Sequence, residues 1–377
     1  MSTRRINLST FQTDHSFYKD LTLLVTIKSF DLKAIRERYL KNRNKPSNRT
    51  GSVNRRETAI GGVAYIKISK GEIQAVDMLT RLPEPRGIDS KQNLTAFSSE
   101  NKVHLIDLQN HKLKTITNPW FSYIHTVDIN PDTMDHLLVS SSGFDSIFEY
   151  AIGDEKQTYE WFAWENGFDR AVDPETGESF YLTRNHDKAN QLEKEGKTHL
   201  LINDPTRQIL PTAKRAAFIN SVVYDPTDKD SIVATFFHEG SIYQIGRRHG
   251  RAKKILSGLV NPHGGYKLTD DEVMGTSTKE GKVIKTKGSR QYHYDFSGIP
   301  GKPESLSDFE WIQNSIYTQE GHILSIDSNR NCLVIFNPES GNIDFIPYDE
   351  NWAVQDIVES SVNLQELKKL AGRFSEE

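Results

Sequence analysis

The chain has 377 residues, of which 36% are hydrophobic, 10% aromatic and 26% charged, so it is long and apolar enough to bury a large core. Its net charge of −4 argues against nucleic acid as the main partner, because a phosphate-binding surface needs an excess of basic residues. The single cysteine, Cys332, excludes an internal disulfide and a zinc site built on cysteines.

The N-terminal region contains three predicted strands, at residues 21–28, 61–69 and 72–80, where β-branched residues are concentrated. Residues 31–56 lie between the first two and predict a short basic helix followed by a polar loop. We interpret this segment as a solvated insertion, with contact to an anionic partner as the alternative.

From residue 85 onward, a unit of four short strands repeats along the chain. A tight turn containing Gly, Asn or Asp joins the second strand of each unit to the third. The second strands, with the start of the turn, read NLTAFSSE, HLLVSSSG, SIVATFFHEG, EVMGTSTKEG and HILSIDSN. A four-stranded unit that repeats roughly every 40–50 residues predicts the blades of a β-propeller.

The longest gap between repeats, over residues 165–217, contains a polar helical stretch and two strand-like runs. We interpret it as a lid, with a degenerate seventh blade as the alternative. A sixth first strand begins near residue 353 and is followed by a predicted helix over 361–377. Three strands at the start and one at the end complete a blade. The prediction is therefore a single all-β domain over 1–377, a six-bladed propeller closed by its termini, with seven blades possible.

Equivalent positions of the six first strands are predicted to form a ring at the mouth of the central channel: Arg86, His125, Asn220, His263, Trp311 and Gln355. Turns from the second to the third strand lie on the same face and bring Phe144, His238 and Glu239 near this ring. Convergent polar side chains predict a ligand or active site. A channel whose polar groups are satisfied by water is the alternative.

Two chemistries suit this ring. In the first, His125, His263 and His238 hold a divalent metal, zinc or calcium, that polarises a carbonyl or activates water. In the second, a histidine acts as general base or nucleophile, while Arg86 and Asn220 stabilise developing negative charge. In either case Trp311, Gln355, His238, Glu239 and Phe144 are predicted to contact the substrate.

The blade sequences HTVDINP to YEWFAW and FINSVVYDP to NPHGG resemble those of six-bladed propeller enzymes over residues 57–360. That superfamily includes gluconolactonase-like hydrolases, arylsulfotransferases, strictosidine-synthase-like proteins and the NHL-type amidating lyase. The resemblance implies a central active site. Asn220 matches the Asn ligand of the lactonases, but His125 and His263 stand where their carboxylates are expected. The central His and Arg residues of the sulfotransferases and the lyase are closer to this ring.

These observations predict a small-molecule enzyme, either a metal-assisted hydrolase or lyase or a histidine-based transferase, acting on a carbonyl-bearing or anionic substrate. A non-catalytic propeller that binds a ligand or a protein is the alternative. The sequence has no apolar run of signal-peptide or membrane-span length, which predicts a soluble cytoplasmic protein with neither membrane nor nucleic acid as partner. The oligomeric state is left open.

Overall fold

A computed structural model describes residues 2–42, 49–55 and 57–375. Parts of two predicted segments lie outside the described residues, namely 43–48 and 56 in the first insertion and 376–377 at the end of the predicted terminal helix. The first half of the described chain contains β1 (Ser2–Asn7), β2 (Gln12–Thr13), β3 (Leu21–Ile27), α1 (Leu32–Asn42), β4 (Ile60–Ser69), β5 (Glu72–Pro83), β6 (Ile88–Lys91), β7 (Leu94–Ser98), β8 (Lys102–Asp107), β9 (Lys112–Thr117), β10 (Ile124–Ile129), β11 (His136–Ser141), β12 (Ser146–Ala151) and β13 (Gln157–Phe162).

The remaining elements follow in order: β14 (Arg170–Val172), β15 (Ser179–Thr183), α2 (His186–Lys194), β16 (His199–Leu201), β17 (Ile219–Tyr224), β18 (Ser231–Phe236), β19 (Ser241–Gly246), β20 (Ala252–Ser257), β21 (His263–Lys267), β22 (Val273–Ser277), β23 (Lys282–Lys287), β24 (Arg290–Asp295), β25 (Ile312–Tyr317), β26 (Ile323–Asp327), β27 (Cys332–Asn337), β28 (Asn342–Pro347), β29 (Val354–Glu359) and α3 (Leu364–Ala371).

The described strands form six four-stranded antiparallel units, which confirms the predicted propeller. Blade 1 has the order β29-β3-β4-β5, and blades 2 to 6 are β6–β9, β10–β13, β17–β20, β21–β24 and β25–β28. The innermost strands of successive blades contact one another around the ring, including β29 with both β6 and β25. Because β29 pairs with β3 from the start of the chain, blade 1 closes the ring as predicted.

Strand position within a blade explains the sequence pattern. The second strands are covered by neighbouring blades on both faces, and all six residues of β18 are buried, as are all five of β26. In outermost strands such as β9, exposed polar or charged residues are interspersed with the buried apolar ones. Apolar side chains from adjacent blades meet in shared clusters, and the largest runs from Ala96 in blade 2 to Ile245 in blade 4. Continuous apolar runs therefore mark the inner part of each blade.

Two further features cover the outer edges of the blades. Strands β1 and β2 pair in parallel with β24 and β28, adding a fifth strand to blades 5 and 6. Helix α3 packs on blade 1 through the buried side chains of Leu367 and Leu370, and Asn363 caps its start by accepting the Glu366 N–H. None of the described helices combines the length and the apolar composition needed to cross a lipid bilayer.

The insertion at 165–217 forms a small sheet, β14-β15-β16, together with α2. The pairing of β14 with β15 is antiparallel, whereas β15 and β16 are parallel, so this sheet differs from the antiparallel four-stranded blades. The described residues thus form six blades with a separate three-stranded insertion between blades 3 and 4.

Candidate functional site

A β-bulge interrupts the innermost strand of most blades at the mouth of the central channel. Register shifts between flanking pairs leave His125, Asn220 and Gln355 outside the regular ladder. A bulge bends the strand and turns the extra residue away from the ladder. Three of the six predicted ring residues are therefore bulge residues, and His263 directly precedes the irregularity of β21.

Blade 6 differs from the predicted alignment by two residues. The irregularity in β25 lies between Ile312 and Ser315, so Gln313 occupies the position that corresponds to His125 and Gln355. Trp311 lies just before this strand, and its indole Nε1 donates a hydrogen bond to Gln313 Oε1 at 2.8 Å. Both side chains line the cavity described next. Sequence alignment thus found the correct blade but placed the ring position at Trp311.

Residues with left-handed backbone stand two positions before four of the ring residues. A bulky side chain in this conformation is strained, and such strain concentrates at functional sites, at an energy of order 1–3 kcal/mol per residue. Two of these residues, Tyr123 and Phe218, also line the cavity. The four residues are Glu84 (φ 39°), Tyr123 (φ 50°), Phe218 (φ 51°) and Asn261 (φ 52°).

The ring opens into a cavity of about 160 Å³ at the mouth of the channel. Five of the predicted site residues line it, namely Arg86, His125, His263, Trp311 and Gln355. The turn residue Lys279 also lines it, as do residues of both insertions: Ile35, Arg38 and Tyr39 of α1, Thr50, Gly51 and Ser52 after it, and Thr212 and Arg215 before blade 4.

Helix α1 covers part of this cavity, so the described part of residues 31–56 differs from the solvated insertion that the sequence predicts. The Arg36 guanidinium donates hydrogen bonds to the Ser328 carbonyl at 2.5 Å and to Asn331 Oδ1 at 2.7 Å, which fixes the helix to blade 6. The Tyr39 ring centroid lies 4.9 Å from that of Trp311. The basic residues of this helix therefore face protein groups as well as solvent.

The cavity is strongly basic. Five cationic side chains line it, namely Lys28, Arg38, Arg86, Arg215 and Lys279, whereas no acidic residue does so among those described. A concave site that carries one sign of charge between low-dielectric walls concentrates ligands of the opposite sign. The overall charge of −4 does not reveal this local excess of positive charge.

Two of these cations differ in how their charges are compensated. Arg86 is buried and forms ion pairs with Glu84 and with Glu100, the latter at 3.0 Å. Burial opposes the charged form of Arg86, but the two carboxylates outweigh it and raise the pKa of the guanidinium. Arg86 is therefore fully compensated within the protein and less available to a ligand.

Arg215 is buried with no carboxylate at ion-pair distance, although the charges of Asp145 and Glu100 still favour its charged form. Its side chain is 0% exposed, and none of the described residues forms an ion pair with it. Its Nε and Nη2 groups donate long hydrogen bonds to the Leu210 carbonyl at 3.4 and 3.3 Å, and its guanidinium lies 4.3 Å from the Tyr123 ring and 4.8 Å from the Phe218 ring. Burial lowers its pKa to about 10, so the group remains charged at neutral pH. With no carboxylate at ion-pair distance, this guanidinium, which lies against the Tyr123 and Phe218 rings of the cavity wall, is a candidate binding group for an anion.

Asp145 fixes the segment that carries Arg215. This residue occupies the turn between β12 and its preceding strand, and its buried carboxylate accepts the backbone N–H groups of Ala216 (2.9 Å), Ala217 (3.2 Å) and Phe218 (2.5 Å). The Trp164 indole donates a fourth hydrogen bond at 3.1 Å. Burial raises the pKa of Asp145 despite these donors. One blade-3 turn thus holds the irregular chain that enters blade 4.

The two ring histidines form a neutral pair. The His125 and His263 ring centroids are 5.4 Å apart. Burial lowers the pKa of His125 far below its usual range, with a smaller effect from the neighbouring cations, and it lowers the pKa of His263 to about 3. The Thr278 hydroxyl hydrogen-bonds His263 Nδ1 at 2.8 Å, which orients the ring.

The depressed pKa of His263 predicts acid sensitivity. The unfolded chain takes up a proton near pH 6.5, whereas folded His263 takes it up near pH 3, so stability falls as pH decreases between these values. Lowering the pH from 7 to 5 should therefore cost about 2 kcal/mol of unfolding free energy through this residue. Comparing urea unfolding of the wild type and His263→Asn at both pH values isolates this contribution, because other titrating groups, such as Asp356 with a pKa raised by burial to about 7, are common to both. If the wild type and His263→Asn lost equal unfolding free energy between pH 7 and pH 5, this prediction would be contradicted.

Four predicted site residues lie away from the cavity. The Asn220 amide donates to the Pro262 carbonyl at 2.7 Å and joins blades 4 and 5. Phe144 is fully buried, and its ring centroid lies 5.2 Å from that of Trp120. The turn residue Glu239 is exposed, and Nε2 of His238 lies 3.0 Å from the Thr212 carbonyl. The residues described contain no group of three or more His, Cys, Asp or Glu side chains arranged to hold a metal ion, so His125, His263 and His238 do not form the predicted ligand set.

The site also contains residues that sequence reasoning did not assign. Arg215 lies in an irregular segment with no repeat pattern, and Arg38 and Tyr39 lie on a helix outside the blades. Gln313 is missed because the alignment of repeats places the ring position of blade 6 two residues earlier, at Trp311. One usable signal was present, because Tyr123 and Phe218 stand at the same distance before two aligned ring positions.

Comparison with solved structures supports the fold alone. A chain of the nidogen/laminin complex superposes with a TM-score of 0.51 at 8% identity, covering 89% of this chain and 97% of that one. Virginiamycin B lyase from Staphylococcus aureus, solved as a catalytically inactive variant with quinupristin, gives 0.41 at 12% identity over 71% of this chain and 74% of its own. A streptogramin B lyase structure gives 0.42 at 13% identity over 73% and 93%. No protein-family profile and no curated protein sequence matches the chain.

Proposed function

We propose that this protein is an enzyme that acts by proton transfer on a small anionic molecule bound in the central cavity. The observation that carries this proposal is the buried guanidinium of Arg215, which forms no ion pair with any of the described residues and lines the same cavity as two neutral imidazoles. A buried unpaired charge destabilises a protein, so a ligand that neutralises it gains correspondingly.

The histidines supply the chemistry in this proposal. A neutral imidazole accepts a proton, and Thr278 holds the His263 ring in a fixed orientation at the cavity. His125 lies close enough to contact the same substrate group. The low pKa values of the free protein are unsuited to a base at neutral pH, but a bound anion favours the imidazolium and raises them. Substrate binding thus increases the basicity of the group that acts on it.

This mechanism favours the hydrolase or lyase class and uses only groups of the chain itself. The Gln355 and Gln313 amides line the cavity near the histidines and provide hydrogen-bond donors for a developing oxyanion. Trp311, Tyr123 and Phe218 supply aromatic walls. The second candidate is a non-catalytic binding protein for the same anionic ligand, which the same basic lining also supports.

A turnover screen tests the proposal. The protein is incubated with small carboxylates, sulfates and phosphates that carry an ester, lactone or eliminable bond, and products are detected by mass spectrometry. We expect conversion of at least one compound, with His263→Gln or His125→Gln lowering kcat roughly 10²- to 10⁴-fold. His104→Gln is the matched control, because His104 is a buried histidine in blade 2 bonded to Ser99 and Thr115.

The outcomes separate the two candidates. If both ring variants retained full turnover, the assignment of the histidines would be wrong. If anionic compounds bound but none was converted, the non-catalytic candidate would replace the enzyme.

A further inference from the structure

A second, smaller cavity lies beneath α1 and adjoins the central one. Its volume is about 80 Å³, and it shares the walls formed by Ile35, Tyr39 and Trp311 with the central cavity. Its remaining walls come from blade 6 and blade 1, including Phe309 and Val354. The two cavities are therefore adjacent, with these side chains at their common boundary.

The lining of this smaller cavity is mainly apolar. Leu32, Ile35 and Val354 contribute aliphatic groups. Two cations, Lys28 and Arg36, also line it, and Arg36 donates to the Ser328 carbonyl and to Asn331 Oδ1. The other polar groups are largely engaged with the protein, because Asn329 Nδ2 donates to the Phe309 carbonyl at 3.0 Å and the Trp311 indole donates to Gln313. Such a wall favours a hydrocarbon group and offers few hydrogen bonds to a polar one.

This smaller cavity and Arg215 lie on opposite sides of the ring of blades. Arg215 precedes blade 4 and lies at the boundary of blades 3 and 4, whereas the cavity under α1 lies at the boundary of blades 6 and 1. These boundaries are diametrically opposite in a ring of six blades. His125 of blade 3 and His263 of blade 5 line the central cavity together with Arg215.

We infer that the cavity beneath α1 is a subsite for an apolar group of the substrate, whose anionic end contacts Arg215. The substrate class is an amphipathic carboxylate, with an alkyl chain or aromatic ring under α1 and its reacting bond beside the histidines. A carboxylate fits because the planar guanidinium binds planar anions through paired hydrogen bonds. This inference rests on the proposed function for the anionic end and adds the occupant of the opposite end.

Binding of two compound series tests the subsite. Acetate, butyrate and hexanoate, and the corresponding neutral primary amides, are titrated into the protein by calorimetry at pH 7. We expect affinity to rise with chain length, by roughly fourfold for each methylene buried in the subsite. In Ala353→Leu, whose larger side chain fills the cavity, the rise should disappear while acetate binding remains. Ala75→Leu, on an exposed position of β5, is the control and should keep the rise.

The outcomes distinguish failure of the subsite from failure of the proposed function. If affinity does not rise with chain length in the wild type, or rises equally in Ala353→Leu, the subsite is wrong, and carboxylates that still bind better than amides leave the proposed function intact. If amides bind as well as carboxylates and both gain with length, the subsite stands and the anion site fails. Should Ala353→Leu lack the circular dichroism spectrum of the wild type, Ser328→Leu fills the same cavity from blade 6 and replaces it.

Discussion

Replacing Asp145 by alanine should lower the free energy of unfolding by at least about 3 kcal/mol, because it leaves several buried N–H groups without an acceptor at about 1–3 kcal/mol each. Three of them are backbone groups of Ala216, Ala217 and Phe218, and the fourth is the Trp164 indole. The carboxylate joins a turn of blade 3 to the chain that enters blade 4, 71 residues away for Ala216. We therefore expect Asp145→Ala to destabilise the whole propeller and not blade 3 alone.

Urea unfolding followed by circular dichroism measures this change. Asp154→Ala is the control, because Asp154 is an exposed carboxylate in the same blade that accepts one local N–H at 3.2 Å, and its loss should stay within about 0.5 kcal/mol. Asp145→Asn keeps one acceptor oxygen and should give an intermediate loss. A midpoint for Asp145→Ala equal to that of the wild type would show that the segment around Arg215 does not depend on this carboxylate.

Replacing Arg215 by methionine should have the opposite effect on stability while removing anion binding. The free protein buries this charge with no carboxylate at ion-pair distance, and burying a charge carries a desolvation penalty of several kcal/mol that an apolar residue of similar length avoids. The lost hydrogen bonds to the Leu210 carbonyl are long, and the lost contacts to Tyr123 and Phe218 are partly replaced by thioether packing. We therefore expect a net gain of about 1 kcal/mol.

Thermal unfolding of the wild type, Arg215→Met and Arg215→Lys measures this gain, with the lysine variant retaining the buried charge as the control. A gain in stability combined with a loss of binding is the behaviour of a residue kept for function. If Arg215→Met instead lost as much stability as Asp145→Ala, Arg215 would have a structural role.

The blades and their closure were predictable because repetition is visible in the sequence. Each blade has buried second strands and a tight turn, and β29 was recognised as the missing first strand of blade 1. The ring was predictable for the same reason, since equivalent positions in repeated strands reach equivalent positions in space. Arg86, His125, His263, Trp311 and Gln355 accordingly line one cavity.

What the sequence did not reveal depends on irregular structure and long-range contacts. The irregularity around Gln313 and Asn314 leaves no mark in the hydrophobic pattern, so the alignment placed the ring position at Trp311. Helix α1 is rich in Lys and Arg and resembles a solvated helix, but Arg36 fixes it over the channel through carbonyl groups of blade 6, which no sequence pattern encodes. Arg215 owes its position to Asp145 in a different blade.

The described residues do not bring the predicted metal ligands together as a group of three, for a related reason. His238 follows the second strand of blade 4, as the repeat predicts, but it contacts the Thr212 carbonyl of the insertion instead of the other two histidines. A repeat pattern places the Cα atoms of such residues and leaves the direction of their side chains to neighbouring segments.

The role of Arg215 as the anion site is tested most directly by a calorimetric titration of hexanoate and hexanamide into the wild type and Arg215→Met at pH 7. We expect hexanoate to bind the wild type more tightly than hexanamide does. Arg215→Met should weaken hexanoate binding by about 30-fold or more, since losing the partner of a buried charge typically costs 2–5 kcal/mol. Hexanamide binding should change little. Equal affinities of hexanoate for the two proteins would contradict the assignment of Arg215 as the anion site and, with it, the proposed function of the cavity.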